Sequence, residues 1–315
     1  MSSEKKSILC VGLNPAFQKV YYFKNFIPGS VNRAYKVSEL ASGKGLNVGR
    51  ILHLIKKPIM NTGFLGGETG DFIKHELTRE QIPNNFVATK NKTRTCTTIV
   101  IDNSSQQTEL VEEGNEVDEN EVKDFYKVYE KLVQDSGIAV IAGTAPPGVP
   151  VDIYYHLIKI AHSCGVPVIL DSQKLFLLNA LRMKPLVIKP NLKELETAVG
   201  RVFSNEEEIW RAIDEIKDNG IKCVVISNEG NATFVAFDTK RYKIIPPKIE
   251  PINAIGSGDA FAAGIASVLI EERDYLKAAV FGTACGSAST LTPLPGFVVH
   301  EEIELLMDEI RIIEQ

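Results

Sequence analysis

Six short apolar runs punctuate this chain: ILCVGL (8–13), PIMNTGFLG (58–66), IAVIAG (138–143), VPVILD (166–171), PLVIKP (185–190) and CVVIS (223–227). They are rich in β-branched residues and bounded by Gly, Pro or Asn, as expected of strands buried on both faces. The segments between them carry helical period, which predicts helices over 44–56, 68–79, 118–134, 151–164, 204–218, 257–272, 274–290 and 300–313. Strand followed by helix, repeated, specifies an α/β fold with a mostly parallel sheet and helices on both sides. Ligands of open α/β sheets bind beyond the carboxyl ends of the strands, so chemistry is sought there.

Two segments break the rhythm. Residues 18–40 and 94–112 alternate apolar with polar side chains around turn signals at Pro28-Gly29 and Asn103-Ser104-Ser105. Each reads as a hairpin with one wet face, together a small antiparallel sheet attached to the core. A lid over the ligand-binding edge, an oligomer contact and a plain insertion would all look like this. The acidic stretch EEGNEVDENE (112–121) reads as a solvated loop and helix start, capped by Asp118 or Asn120.

Composition narrows the partners. A formal net charge of −5 gives no footprint for a polyanion, so nucleic acid is not an expected partner. Five cysteines stand without a C-x-x-C pair, which suggests neither a disulfide framework nor a zinc site and fits a reducing, cytoplasmic location. The first residues read as a polar tail ahead of a buried strand. No uncharged apolar stretch approaches the roughly 20 residues that span a bilayer, so no membrane partner is expected.

NAIGSGDAFAAG (253–264) places Asp259 just after Gly256, Ser257 and Gly258, at the start of an apolar helix. Glycines let N–H groups turn toward one point and the helix adds its positive end, making a cradle for phosphate or an oxyanion. A carboxylate beside such a cradle suits a base that takes a proton from a hydroxyl while the cradle holds a transferring phosphoryl group. The plain alternative is a helix start in which Asp259 meets the dipole, worth about 0.3–1 kcal/mol. SGKGLNVGR (42–50) is a second glycine turn into a helix; it lacks the G-x-x-x-x-G-K-[ST] form, and its Lys44 meets either a ligand or solvent. In KPNLKELE (189–196), Asn191 and Glu194 share one helical turn and could serve Mg²⁺, or form a capping box. Arg94, alone among small and β-branched residues, holds a phosphate or lies on the wet face of a hairpin.

Taken together, SGKGLN, KPNLKELE and NAIGSGDAFAAG resemble, in order and spacing, the signature regions of the phosphofructokinase B, or ribokinase-like, carbohydrate kinases. GLNPAFQKVYYF, VNRAYKV, TRTCTTIV, QQTELVEEG and VPVILDS are most similar to the branch of 1-phosphofructokinases and tagatose-6-phosphate kinases. The resemblance implies one ribokinase-like domain over 1–315, a three-layer α/β/α sandwich with a β lid at about 14–40 and 91–112 through which a homodimer forms. It implies ATP and Mg²⁺ as cofactors, Asp259 as base and Gly256, Ser257 and Gly258 as anion hole. It further implies Asn191 and Glu194 near the metal and triphosphate, Ser227 and Gly230 near the nucleotide, and the helix at 284–290 near the adenine. Gly43, Lys44, Asn47, Arg94 and, from the lid, Arg33 fall where this branch contacts the phosphorylated sugar.

Three positions depart from the pattern. Gln18 stands where the branch has an aspartate for sugar hydroxyls, Ser42 replaces the first glycine of GGKG, and SNEGNA (227–232) shortens the nucleotide loop. The expectation is an ATP-dependent kinase of a ketohexose monophosphate, fructose 1-phosphate or tagatose 6-phosphate, giving a bisphosphate. The rivals are a kinase of an unphosphorylated sugar or nucleoside on the same fold, and a non-catalytic sugar-phosphate sensor. A dinucleotide-binding oxidoreductase is disfavoured because no G-x-G-x-x-G follows the first strand.

Overall fold

The computed structural model describes residues 7–102 and 107–315. Its first half runs β1 (Ser7–Val11), β2 (Ala16–Phe23), β3 (Lys36–Ser42), α1 (Lys44–Leu54), β4 (Ile59–Thr62), β5 (Phe64–Gly66), α2 (Gly67–Arg79), β6 (Val87–Thr89), β7 (Arg94–Ile101), β8 (Gln107–Val111), α3 (Glu119–Gln134) and β9 (Ser136–Ala142). The second half runs α4 (Ile153–Ser163), β10 (Val168–Asp171), α5 (Lys174–Leu181), β11 (Val187–Ile188), α6 (Leu192–Val199), α7 (Glu206–Asp218), β12 (Cys223–Ile226), β13 (Thr233–Phe237), β14 (Lys240–Ile245), α8 (Ser257–Leu269), α9 (Tyr275–Thr290), α10 (His300–Met307) and β15 (Arg311–Glu314).

Nine strands form the main sheet in the order β15-β14-β13-β12-β11-β10-β9-β1-β4. From β4 to β12 the neighbours are parallel, and β13, β14 and β15 add on antiparallel. Alternate residues of one strand enter two separate cores: Ile8 and Cys10 pack with α1, α8 and α9, while Leu9 and Val11 pack with α3, α4 and α7. That division explains why the strands read as continuous apolar runs, since neither face meets water.

A second, four-stranded sheet, β3-β2-β7-β8, is the lid. Both expected hairpins are present, β2 with β3 and β7 with β8, but they join through a parallel β2–β7 pairing, so the lid is mixed and not wholly antiparallel. The turn signal at Asn103-Ser104-Ser105 lies outside the described residues, as does the tail before Ser7.

Several elements differ from the periodicity reading, among them β6, β13 and β14, which lie outside the six runs and the two hairpins. The helix expected over 300–313 stops at Met307, and Arg311–Glu314 pairs with Ile245–Tyr242 as an edge strand. Two β-branched side chains, Ile312 and Ile313, suit that extended backbone, and β14 offers them an unpaired edge. Helices α5 and α6 have eight residues each, too short for a period to declare itself, and α5 (KLFLLNAL) is apolar nearly all round.

The junction that aims α1 at the sheet edge is a glycine contact. A Cβ built on Gly45 would lie 2.4 Å from the Gly12 Cα, so the first turn of α1 rests directly on the backbone leaving β1. Gly43, at φ 116, turns the chain from β3 into that helix against Pro15. Gly45→Ala is expected to destabilise the protein by about 1–3 kcal/mol, the usual cost of overpacking a tight interior. Thermal denaturation should show a clear fall in Tm, and an unchanged Tm would contradict the contact.

Candidate active site

Several parallel strands end along one edge of the main sheet, and their last residues carry charge. Asp171, fully buried, closes β10, and Lys189, 2% exposed, follows β11 at once. The sheet order sets these strands side by side, and Lys189 Nζ lies 3.5 Å from Asp171 Oδ2. Lys44, the first residue of α1, reaches in over Gly143 to lie 3.3 Å from Asp171 Oδ1 and 3.0 Å from Glu194 Oε1. Asp171 and Lys189 are not among the residues expected from the sequence, where their local signal is a lone charge at the carboxyl end of an apolar run.

Asp259 enters from the opposite side of the chain. Asn253 Oδ1 accepts the Ile255 N–H and its Nδ2 donates to Pro293 O, which fixes the loop before the helix. Gly256 then takes a left-handed φ of 83 that lets the chain double back into α8. Ser257 donates its N–H to Ala254 O and Asp259 donates to Gly256 O. Gly256, Ser257 and Gly258 stay half-buried at the surface of the cleft. Here α8 ends N-first, with its positive dipole toward the charges from the sheet. A Cβ on Gly258 would come no nearer than 3.6 Å to any atom outside its own surroundings, and that atom is Lys189 Nζ, so the buried ammonium faces the glycine turn.

The Asp259 carboxyl is 4% exposed and accepts a hydrogen bond of 2.7 Å from Asn47 Nδ2. Burial is the largest influence on it, and with help from the Asp171 charge it raises the pKa to about 7 against the opposing pull of Lys44, Asn47 and Lys189. Burial pulls the Lys44 pKa down, but the carboxylates of Asp171, Glu194 and Asp259 outweigh it, so the ammonium is held more firmly than in water. The cluster can therefore accept a proton near neutral pH at Asp259 while keeping Lys44 charged beside it.

The remaining predicted residues divide. Asn191 and Glu194 do form the reciprocal capping box, with Glu194 N donating to Asn191 Oδ1 and Asn191 N to Glu194 Oε2. Glu194 also meets Lys44 through Oε1, so it belongs to the charge cluster as well. Ser227 sits beside them, its carbonyl accepting the Leu192 N–H and its strand end bridging Asn191. Gly230 lies in the exposed turn that follows. Gln18 is buried in β2 and donates from Nε2 to Thr98 Oγ1 of β7. Arg94 gives its donors to the carbonyls of Asn14, Pro15 and Glu112, where it ties the lid root to the chain leaving β1. Arg33 is exposed on the loop between β2 and β3.

No group of three or more His, Cys, Asp or Glu side chains among the described residues could hold a metal unaided. The oxygen donors of Asp171, Asn191 and Glu194 suit a hard divalent ion bound mainly through water and a phosphorylated ligand. An apolar groove between α3 and α4, lined by Tyr126, His156, Lys159 and Ile160, holds none of these converging charges.

Comparison with known proteins bears on this arrangement. A family model described as pfkB family carbohydrate kinase matches residues 5–301. Phosphofructokinase-2 from Escherichia coli, solved in complex with fructose-6-phosphate, superposes with a TM-score of 0.89 at 25% identity, over 96% of this chain and 98% of that one. A protein from Thermotoga maritima described as a possible 1-phosphofructokinase superposes with a TM-score of 0.91 at 25% identity, over 98% and 99% of the two chains. Ribokinase from Arabidopsis thaliana, solved with ribose and ATP, shares the fold at 17% identity, with a TM-score of 0.77 over 96% and 99%.

Proposed function

The chain belongs to the pfkB family of carbohydrate kinases, and from that premise we propose that it transfers the γ-phosphoryl group of ATP to a hydroxyl of a ketohexose monophosphate, giving a bisphosphate. The observation that carries this reading is the Asp259 carboxylate, buried at the mouth of α8 beside a glycine turn and facing the Lys44 and Lys189 ammonium groups.

In this reading Asp259 takes the proton of the acceptor hydroxyl as its oxygen bonds to phosphorus and the bond to the leaving ADP breaks. The Gly256–Gly258 turn and the start of α8 receive the charge on the transferring group, and Lys189 lies behind them. Asn47 holds the carboxylate oriented. Asn191 and Glu194 would hold Mg²⁺ through water and phosphate oxygens, and the ion supplies neutralisation of the triphosphate. Ser227 and Gly230 line the nucleotide side.

Fructose 1-phosphate and tagatose 6-phosphate are the first candidate acceptors, and the complex of phosphofructokinase-2 with fructose-6-phosphate adds a third. Gln18 bears on the choice: a neutral amide whose nitrogen is committed to Thr98 offers one acceptor oxygen to a sugar hydroxyl, where a carboxylate would offer two. Gly43, Lys44, Asn47 and Arg94, with Arg33 from the lid, are proposed for the phosphosugar side. Arg94 already supports the lid root, so a bound phosphate would share a guanidinium that is in place.

We further propose a homodimer through the lid, one face of which exposes Val37 and Leu110, with Val31 and Tyr35 exposed on the loop beside it. In sedimentation velocity the protein should run as a dimer and Val37→Glu with Leu110→Glu as a monomer; a monomeric parent would refute the proposal. For the activity, ADP release from Mg-ATP over a panel of ketohexose phosphates, free hexoses and nucleosides should be confined to a phosphorylated ketose. Asp259→Asn should lower kcat by at least about 10²-fold, the contribution expected of a general base. An undiminished rate in that variant would remove Asp259 from the chemistry, and turnover of free sugars alone would favour the unphosphorylated acceptor.

A further inference from the structure

Arg50 lies one turn beyond Asn47 on α1 and is only 1% exposed, which makes it the bulkiest fully buried side chain among the described residues. Its guanidinium pairs with Glu80 through Nε, at 2.5 Å from Oε2, and donates from Nη2 to Ala41 O of β3 at 2.8 Å. Those contacts tie α1 to the end of α2 and to the lid strand that leads into α1. A purely structural tie of this kind has no need of a guanidinium, because buried ion pairs replaced by apolar groups of like volume often cost no stability.

The rest of the guanidinium points toward the catalytic turn. It lies 5.1 Å from the centre of the Phe297 ring, and its Nη1, fully buried, has no hydrogen-bond partner among the described residues. Asn47 Oδ1 is likewise buried with no partner among them, while the same amide gives its nitrogen to Asp259. A Cβ built on Gly296 would lie 2.7 Å from Asn47 Oδ1 and 3.2 Å from Arg50 Nη1, so a free donor and a free acceptor border one small space. Gly296 in turn backs the anion-hole turn, its nitrogen 3.2 Å from where a Gly256 Cβ would stand. Arg50 thus lies against the 295–297 loop behind the glycine turn and borders the space that the Asn47 amide oxygen faces.

We infer that Arg50 is a positioning residue of the phosphoryl-transfer site, ordering the Asn47 amide and the 295–297 loop so that Asp259 and the α8 glycine turn keep their register. The inference rests on the reading of Asp259 as the base. It does not require Arg50 to act on that carboxylate by charge, since the charged groups facing Asp259 are Lys44, Lys189 and Asp171, and Glu80 offsets the guanidinium.

The test compares Arg50→Met with the parent in two backgrounds, the natural chain and Asn47→Ala, using whichever acceptor the panel identifies. Activity lost in Asp259→Asn establishes the base first, and an active Asp259→Asn would sink the base reading rather than Arg50 alone. With folding verified by thermal denaturation, Arg50→Met should lower kcat by about ten- to a hundredfold, the scale of a misplaced catalytic group, with KM for either substrate changed less than about twofold. The acid limb of kcat/KM, near pH 7 in the parent, should move to higher pH, because the Asn47 donor favours the charged carboxylate and its loss raises the pKa. Asn47→Ala should shift the limb the same way, and adding Arg50→Met to it should shift the limb no further. A folded Arg50→Met with the parent's kcat and limb, or a shift fully additive to that of Asn47→Ala, would overturn the inference. If Arg50→Met does not fold, Gly296→Ala carries the test, since its methyl enters the same space: the limb should again move up, and a parental limb would overturn the proposal.

Discussion

The site depends on the burial of one carboxylate. Asp259 is 4% exposed at the start of α8, and taking its charge out of water is the largest influence on it, opposed by Lys44, Asn47 and Lys189 and aided by the Asp171 charge. Asp171 lies between both lysines and Glu194 is shared between Lys44 and a helix cap, while Asp259 accepts from the neutral amide of Asn47. Burial therefore favours a proton on the carboxylate at the glycine turn. Elevated basicity there follows from how the cluster is assembled, and it is what a base working on a sugar hydroxyl near neutral pH requires.

Assembling that cluster sets demands on the rest of the fold. Parallel β10 and β11 must be neighbours to bring Asp171 beside Lys189, and α1 must sit hard on β1 for Lys44 to span from its first turn to both carboxylates. The close approach of Gly45 to Gly12 meets the second demand. On the other flank, α8 is buried along almost its whole length between α1 and α9, and a Cβ on Gly264 would stand 2.6 Å from the Gly282 Cα. A helix gripped this way cannot drift, so its first turn is a rigid platform for the carboxylate and the N–H groups around it. The lid is fastened at its root by Arg94 to the chain leaving β1, so the cover and the cluster share one anchoring segment.

Much of this was legible in the residues. Each of the six apolar runs contains a strand of the main sheet, because burial on both faces leaves an unbroken apolar signature, and the glycine turns before Lys44 and Asp259 announced the two helix starts of the site. Gly63 hid a break: PIMNTGFLG divides into β4 and β5, and β5 joins a separate two-stranded sheet with β6. Asp171 and Lys189 were missed because a charge at the end of a strand is ordinarily a terminator, and only the adjacency of β10 and β11 gives the pair meaning. Asn47 and Asp259 stand 212 residues apart, and no local pattern ties an amide on one helix to a carboxylate on another. Arg50, on the same helix as Asn47, gives no local sign of its burial, which the fold alone produces. Short-range pattern thus specified the elements and the turns, while the pairings that tune the carboxylate arise only from the topology.

The most direct test of the account is the protonation state of the Asp259 carboxyl itself, followed by ¹³C NMR of protein labelled at the aspartate side-chain carbons, with Asp259→Asn to assign the signal. In the ligand-free protein this carboxyl should titrate near pH 7. A resonance that titrates in the ordinary carboxylate range, about pH 4, would mean that the cluster leaves Asp259 unperturbed, and the proposed base would lose its physical ground.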